Sequence, residues 1–109
     1  MLNFTDESFN KEISEAKKPI LVDFWMESCG PCTLLSHIME NLAGELSEKV
    51  IFAKANFDQV PIAIQKYGIN AAPTVILFEG GEPVSGFVGL RQESEIRAWI
   101  EDNLKKDND

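Results

Sequence analysis

The amino-acid sequence predicts an α/β protein, a three-layer sandwich in which a central mixed β-sheet is flanked by helices on both faces. Three observations lead to this class. Segments whose apolar residues recur at helical spacing alternate along the chain with short extended runs. Two of those runs, 20–25 and 50–55, are apolar almost throughout, which is the pattern of strands covered on both faces. Near the C-terminal end, Glu79-Gly80-Gly81-Glu82 separates two further extended runs with two glycines available for positive φ, the mark of an antiparallel pair. With 109 residues and no internal repeat or linker, the chain is expected to form a single domain over 1–109, ending in a polar tail over about 105–109.

Taken in order, a short strand is expected near Leu2–Phe4. Thr5 is a suitable helix N-cap, Asp6 and Glu7 suit a first turn, and Phe9, Ile13 and Ala16 share one face. Lys17-Lys18-Pro19 ends that helix, because proline disfavours helical backbone in its predecessor. Ile20–Trp25 is the first buried strand. From Pro31 to about Ser47 the period becomes helical, with Leu34, Leu35, Ile38, Met39, Leu42, Ala43 and Leu46 on one broad face. Pro31 fits the first turn, where its missing N–H costs nothing. Val50–Ala55 is a second buried strand, followed by a short helix around Ile62–Lys66 that Gly68 closes. Thr74–Phe78 and Pro83–Gly89 form the antiparallel pair, with the latter at an edge because Pro83 cannot donate to a ladder. A last helix carries Ile96, Trp99, Ile100 and Leu104.

Charge excludes one class of function. Eighteen acidic residues against ten basic give a net charge of −8, and Lys17-Lys18 and Lys105-Lys106 are the sole adjacent basic pairs. A phosphate backbone would be repelled, so no nucleic-acid partner is expected. The acidic start, Met1-Leu2-Asn3-Phe4-Thr5-Asp6-Glu7, lacks the basic and apolar regions of a signal peptide, and no apolar run approaches a membrane span. A cytoplasmic monomer without membrane contact is the expectation.

The chemistry sits in Cys29-Gly30-Pro31-Cys32, which follows a buried strand and opens a long amphipathic helix. A thiol at a helix N-terminus faces unpaired N–H groups and the positive end of the dipole, so its thiolate is favoured. Cys29 holds that position and is the candidate nucleophile. Cys32 lies one turn on, within bridging reach. A purely structural bridge over so short a loop removes little unfolded-state entropy. A zinc site needs four ligands, and the single histidine, His37, is expected well round the helix from Cys32. Redox chemistry is therefore the preferred reading, with no metal and no cofactor.

Asp23 is a carboxylate inside an apolar strand, where burial raises the pKa. It could accept and return a proton when Cys32 attacks, or could simply be hydrogen-bonded at a strand end. Lys54 interrupts the other buried strand and either pairs with Asp23 or snorkels from an edge. In Ala71-Ala72-Pro73-Thr74 the X-Pro bond is a candidate cis peptide, although trans is the commoner state. The small Ala71 and Ala72 would let an extended substrate backbone approach. Gly30 and Gly89 either clear space around the sulfur or serve ordinary turns.

From about Asn3 to Leu104 the chain resembles the thioredoxin family. The resemblance rests on Val22-Asp23-Phe24-Trp25, Cys29-Gly30-Pro31-Cys32, Lys54-Ala55-Asn56-Phe57-Asp58, Tyr67-Gly68-Ile69, Ala72-Pro73-Thr74 and Gly89. A C-x-x-C pair beside a βαβ pattern is itself a general sign of such redox proteins. The resemblance implies the thioredoxin fold and disulfide reduction in cytoplasmic proteins, with Cys29 as nucleophile and Cys32 as resolving thiol. It further implies Asp23 as proton carrier, Pro73 as a cis-proline beside the sulfurs, and Trp25 packed under the active-site loop with Lys54 in support. Gly30, Pro31, Ala72, Pro73 and Gly89 would contact substrate, and a flavin- or ferredoxin-linked thioredoxin reductase would restore the dithiol. Three positions depart from the family pattern: Ser28 stands for a tryptophan, Thr33 for a lysine and His37 for a helix-kinking proline. They point to an altered set of partners. They also keep open a specialised partner-specific redox protein or a non-catalytic subunit of the same fold; an oxidant or isomerase of the secretory type is disfavoured by the Gly-Pro pair and the missing leader.

Overall fold

A computed structural model of the chain describes residues 1–107. Its elements run in the order β1 (Leu2–Phe4), α1 (Asp6–Glu15), β2 (Ile20–Trp25), α2 (Gly30–Leu46), β3 (Ile51–Asn56), a 3-10 turn (Phe57–Gln59), α3 (Pro61–Lys66), β4 (Thr74–Glu79), β5 (Glu82–Val88) and α4 (Glu93–Asp107). The strands form one sheet in the order β1-β3-β2-β4-β5. β1 and β2 run parallel to β3, while β4 is antiparallel to both β2 and β5, so the sheet is mixed as its sequence pattern implied.

β2 occupies the centre, and its run of apolar residues, interrupted by Asp23, has the expected cause. Val22 and Phe24 join the core formed with Phe4, Phe9 and Ile13 on one face, whereas Leu21 joins Leu35, Met39, Ile96 and Ile100 on the other. Residues 20–24 of the strand are thus covered whichever way they point, giving three layers. β5 lies at the edge, where Pro83 stands opposite Phe78 beside a register shift and costs no central ladder bond. Gly80 and Gly81 have φ of +60° and +85°, the pair of positive values that a two-residue hairpin turn demands.

Local chemistry accounts for the helix limits. Thr5 N–H donates to Ser8 Oγ at 3.0 Å in a capping box at the start of α1. Asp6, read from sequence as a helix-dipole residue, does more: its carboxylate accepts from Ile62 N–H at 2.9 Å and Ala63 N–H at 3.2 Å, capping α3 from across the fold. On α2 the buried stripe is Cys32, Leu35, Met39, Leu42 and Leu46. Leu34 is a correction: it is 56% exposed, because the true stripe steps by three and four from Cys32 and leaves Leu34 off it. Lys105–Asp107 of the expected polar tail continue the α4 backbone, and 108–109 lie outside the described residues. Arg97 on α4 donates to both carboxylate oxygens of Glu45 on α2, at 2.7 and 2.9 Å, tying the two helices of one face together.

Candidate active site

The site forms where β2 ends and β4 begins. Phe24 stands opposite Thr74 in antiparallel register, so the residues after Trp25 and those before Thr74 leave the sheet at the same end. The segment after β2 carries Cys29; the segment before β4 carries Pro73.

Cys29 is the N-cap of α2 and Cys32 is its third helical residue, and their sulfurs are joined in a disulfide with Cα atoms 5.2 Å apart. Cys29 Sγ also accepts a hydrogen bond from Cys32 N–H at 3.2 Å. A sulfur fills the place that an aspartate or serine oxygen takes at ordinary helix starts, facing the N–H groups of the first turn. The same donors and dipole will hold negative charge once the bridge is reduced, and α2 has no acidic residue in its first turn to oppose it. The two sulfurs differ in access: Cys29 is half-buried, whereas Cys32 is 3% exposed beneath the helix. Gly30 and Pro31 are both exposed. Ser28, just before the pair, has φ +56°, a left-handed backbone rare outside glycine, and nothing in its residue type announced it.

The Ala72–Pro73 peptide is cis. Pro73 itself is buried, with Ala71 and Ala72 half-buried beside it. The segment is fastened at both ends: Thr74 Oγ1 donates to Ala71 C=O at 2.6 Å, and Gly89 N–H donates to Pro73 C=O at 2.8 Å. Gly89, whose φ is +90°, docks the end of β5 onto the Pro73 loop through that bond. The structure thereby joins Gly89 and Pro73 directly.

Asp23 lies under α2. It is 1% exposed, and neither carboxylate oxygen has a hydrogen-bond partner among the described residues. Burial pushes its pKa from the ordinary 3.8 up to about 7, with the charge of Lys54 pulling weakly the other way. Lys54 stands beside Asp23 in the β2–β3 register, and of the two arrangements expected for it the ion pair with Asp23 is absent. Its Nζ instead donates to Ser36 Oγ at 3.3 Å and sits 5.2 Å from the centre of the Trp25 ring. The reason is the hydroxyl on α2 and the indole face, which together give the ammonium partners nearer the solvent than the buried carboxylate does. Trp25 is half-buried with its Nε1 unpartnered, so packing and the Lys54 cation hold the ring.

A cleft of about 330 Å³ opens beside Cys32, bordered by Trp25, Ser28, Thr33, Ser36, His37 and Lys54. His37 was expected well round the helix; it is exposed but still reaches the rim of this cleft. Around the site stand apolar side chains that sequence reasoning did not single out as surface: Met26 is 45% exposed, Val88 59% and Leu90 44%. Leu34 and Leu90 line an apolar groove between α2 and the start of α4. The signal for Leu34 was available in the three-and-four spacing from Cys32; none marked Met26 or Leu90.

The chain matches the family model described as Thioredoxin over residues 1–102. It is 43% identical over 102 residues to a thioredoxin of Rickettsia bellii (strain RML369-C), covering 94% of this chain and 97% of that protein. A thioredoxin of Alicyclobacillus acidocaldarius subsp. acidocaldarius is 38% identical over 104 residues, covering 95% and 98%. One of Allochromatium vinosum is 35% identical over 103 residues, covering 94% and 96%.

Proposed function

Since this chain belongs to the thioredoxin family, whose chemistry is dithiol–disulfide exchange through a C-x-x-C pair, we propose a division of that chemistry among its residues. Cys29 is the attacking thiolate. It displaces one sulfur of a substrate disulfide as a thiolate and becomes joined to the other. Cys32 then loses its proton to the Asp23 carboxylate and attacks Cys29 Sγ. The Cys29–Cys32 bond forms, the mixed disulfide breaks, and the second substrate sulfur leaves with the pair of electrons. Asp23 returns its proton to the departing thiolate. The first displaced thiolate takes its proton from solvent, where Cys29 released one on ionising, so the substrate gains two electrons and two protons and the Cys pair is left oxidised.

One observation carries this assignment: the sulfur at the N-cap of α2 is the accessible one, and its partner is buried against the sheet. A pKa near pH 7 suits Asp23 to proton exchange with a thiol, because neither direction of transfer is then steeply uphill. Gly30, Pro31, Ala72 and Gly89 form the small-residue surface on which an extended substrate segment lies, with the buried Pro73 shaping it from beneath. The exposed Met26, Val88 and Leu90 add apolar area to it. Disulfide-bearing proteins are the substrates, and a thioredoxin reductase, flavin- or ferredoxin-linked, returns the electrons. No helix among the described residues is long and apolar enough to cross a membrane. The protein works as a cytoplasmic monomer of one domain.

Ser28, Thr33 and His37 border one cleft, so their replacement of an aromatic ring, a cation and a proline reshapes a single face that partners meet. Cys32→Ser, which leaves the mixed disulfide without a resolving thiol, is the test. The variant is expected to accumulate covalent, reductant-sensitive adducts with disulfide-bearing proteins through Cys29. A folded variant that captures none would overturn the reductase reading in favour of a passive subunit.

A further inference from the structure

The proton transfer assigned to Asp23 takes place beside an ammonium group that is close in register and yet not paired with it. Lys54 is the neighbour of Asp23 across β2–β3, and both side chains are on the face covered by α2. Leu21 and Phe52, two residues before each on the same face, belong to the core under α2 and α4. Opposite charges in so dry a place attract strongly. Nevertheless both Asp23 oxygens are unpartnered, while Lys54 Nζ is held at 3.3 Å by Ser36 Oγ and lies over the Trp25 ring. Ser36 is on α2, one turn beyond the buried Cys32, so its hydroxyl hangs over the same strip of sheet.

We propose that Ser36 is a positioning residue for the exchange reaction: its hydroxyl tethers the Lys54 ammonium away from Asp23, leaving that carboxylate free to take and return the Cys32 proton. The inference rests on the proton-carrier role given to Asp23 above. The other titratable groups bordering the cleft that Lys54 lines are His37 on α2, Glu27 in the loop after β2 and, once the bridge is reduced, the Cys32 thiol. Val75, opposite Asp23 on β4, is uncharged. Lys54 is therefore the cation whose position sets the local field. Without the tether it swings along its flexible stem to the unpartnered carboxylate, which then stays ionised and becomes a poorer base.

The test is to titrate the Asp23 carboxyl carbon by NMR in the wild type, Ser36→Ala, Ser36→Thr, Lys54→Met and the Ser36→Ala/Lys54→Met double variant. Ser36→Ala is expected to lower the Asp23 midpoint by about one unit, and Ser36→Thr to restore it. The double variant should titrate as Lys54→Met does. An unchanged or raised midpoint in Ser36→Ala overturns the proposal, as does an equal shift in the absence of Lys54. The companion reading is decay of a preformed mixed disulfide between Cys29 and thionitrobenzoate. Its resolution should slow about threefold or more in Ser36→Ala near neutral pH and recover in Ser36→Thr. A midpoint that moves while resolution stays fixed in both Ser36→Ala and Asp23→Asn would overturn the carrier role of Asp23 and with it the catalytic half of the proposal.

Discussion

Removing the Asp23 carboxyl should stabilise the protein, and by an amount that depends on pH. In the folded chain Asp23 is 1% exposed, without a hydrogen-bond partner, and titrates at about 7. Unfolded, it returns to the ordinary 3.8. Because the folded value is the higher, the folded state holds a proton that the unfolded state has released throughout the interval between them. Stability from the neutral carboxyl is complete below pH 3.8 and is lost progressively as pH rises to about 7, after which the loss is constant. The interval is roughly three units, and at about 1.4 kcal/mol each the buried charge costs the folded state about 4 kcal/mol at pH 8. Asp23→Ala escapes that cost and leaves a small void worth about 1 kcal/mol, for a net gain of about 3 kcal/mol. Guanidinium unfolding of the oxidised protein from pH 4 to pH 8 measures the difference. The variant should be slightly the less stable at pH 4, where the void outweighs the charge cost, then pull ahead by about 1.4 kcal/mol per pH unit and level off above pH 7. Parallel stability curves, with a gap independent of pH, would refute the assignment of a buried, unpaired and titrating carboxyl.

Two further substitutions probe the frame that holds the site. Asp6→Ala removes the acceptor for Ile62 N–H and Ala63 N–H and should cost about 1–2 kcal/mol in urea unfolding, with early loss of hydrogen-exchange protection in α3. Gly86→Ala would bring a Cβ to 2.8 Å from Val75 C=O, closer than real contacts allow. The β4–β5 pair must then spread, with a loss of about 1–3 kcal/mol visible as a lowered denaturation midpoint.

Much of this arrangement was legible in the residues because it follows from local rules. Ile20–Trp25 reads as a doubly covered strand since no polar alternation interrupts it apart from Asp23, and Gly80-Gly81 reads as a turn since only glycine takes positive φ at no steric cost. The placement of Cys29 at a helix start was readable from Pro31 and the apolar period that follows. What escaped depends on contacts between distant segments. Asp6 serves α3 some 56 positions away, and nothing in its own neighbourhood indicates this. Lys54 looked like the partner of Asp23 because register and charge both favour the pair, whereas the hydroxyl of Ser36 and the ring of Trp25 decide the matter in three dimensions. Leu34 falls at helical spacing among the apolar residues of α2, yet the buried stripe steps from Cys32 to Leu35 and leaves Leu34 on the surface. The left-handed Ser28 and the Gly89–Pro73 bond likewise belong to the assembled loops, not to any one segment.

Disulfide exchange by this chain requires Cys29 to be the accessible thiol of a working pair. Dithiothreitol-driven reduction of insulin disulfides, followed as turbidity for the wild type and for Cys29→Ser, tests this most directly. Rapid reduction by the wild type that vanishes in the folded variant is the predicted result. A wild type that fails to accelerate the reaction, or a Cys29→Ser variant that retains it, would contradict the account.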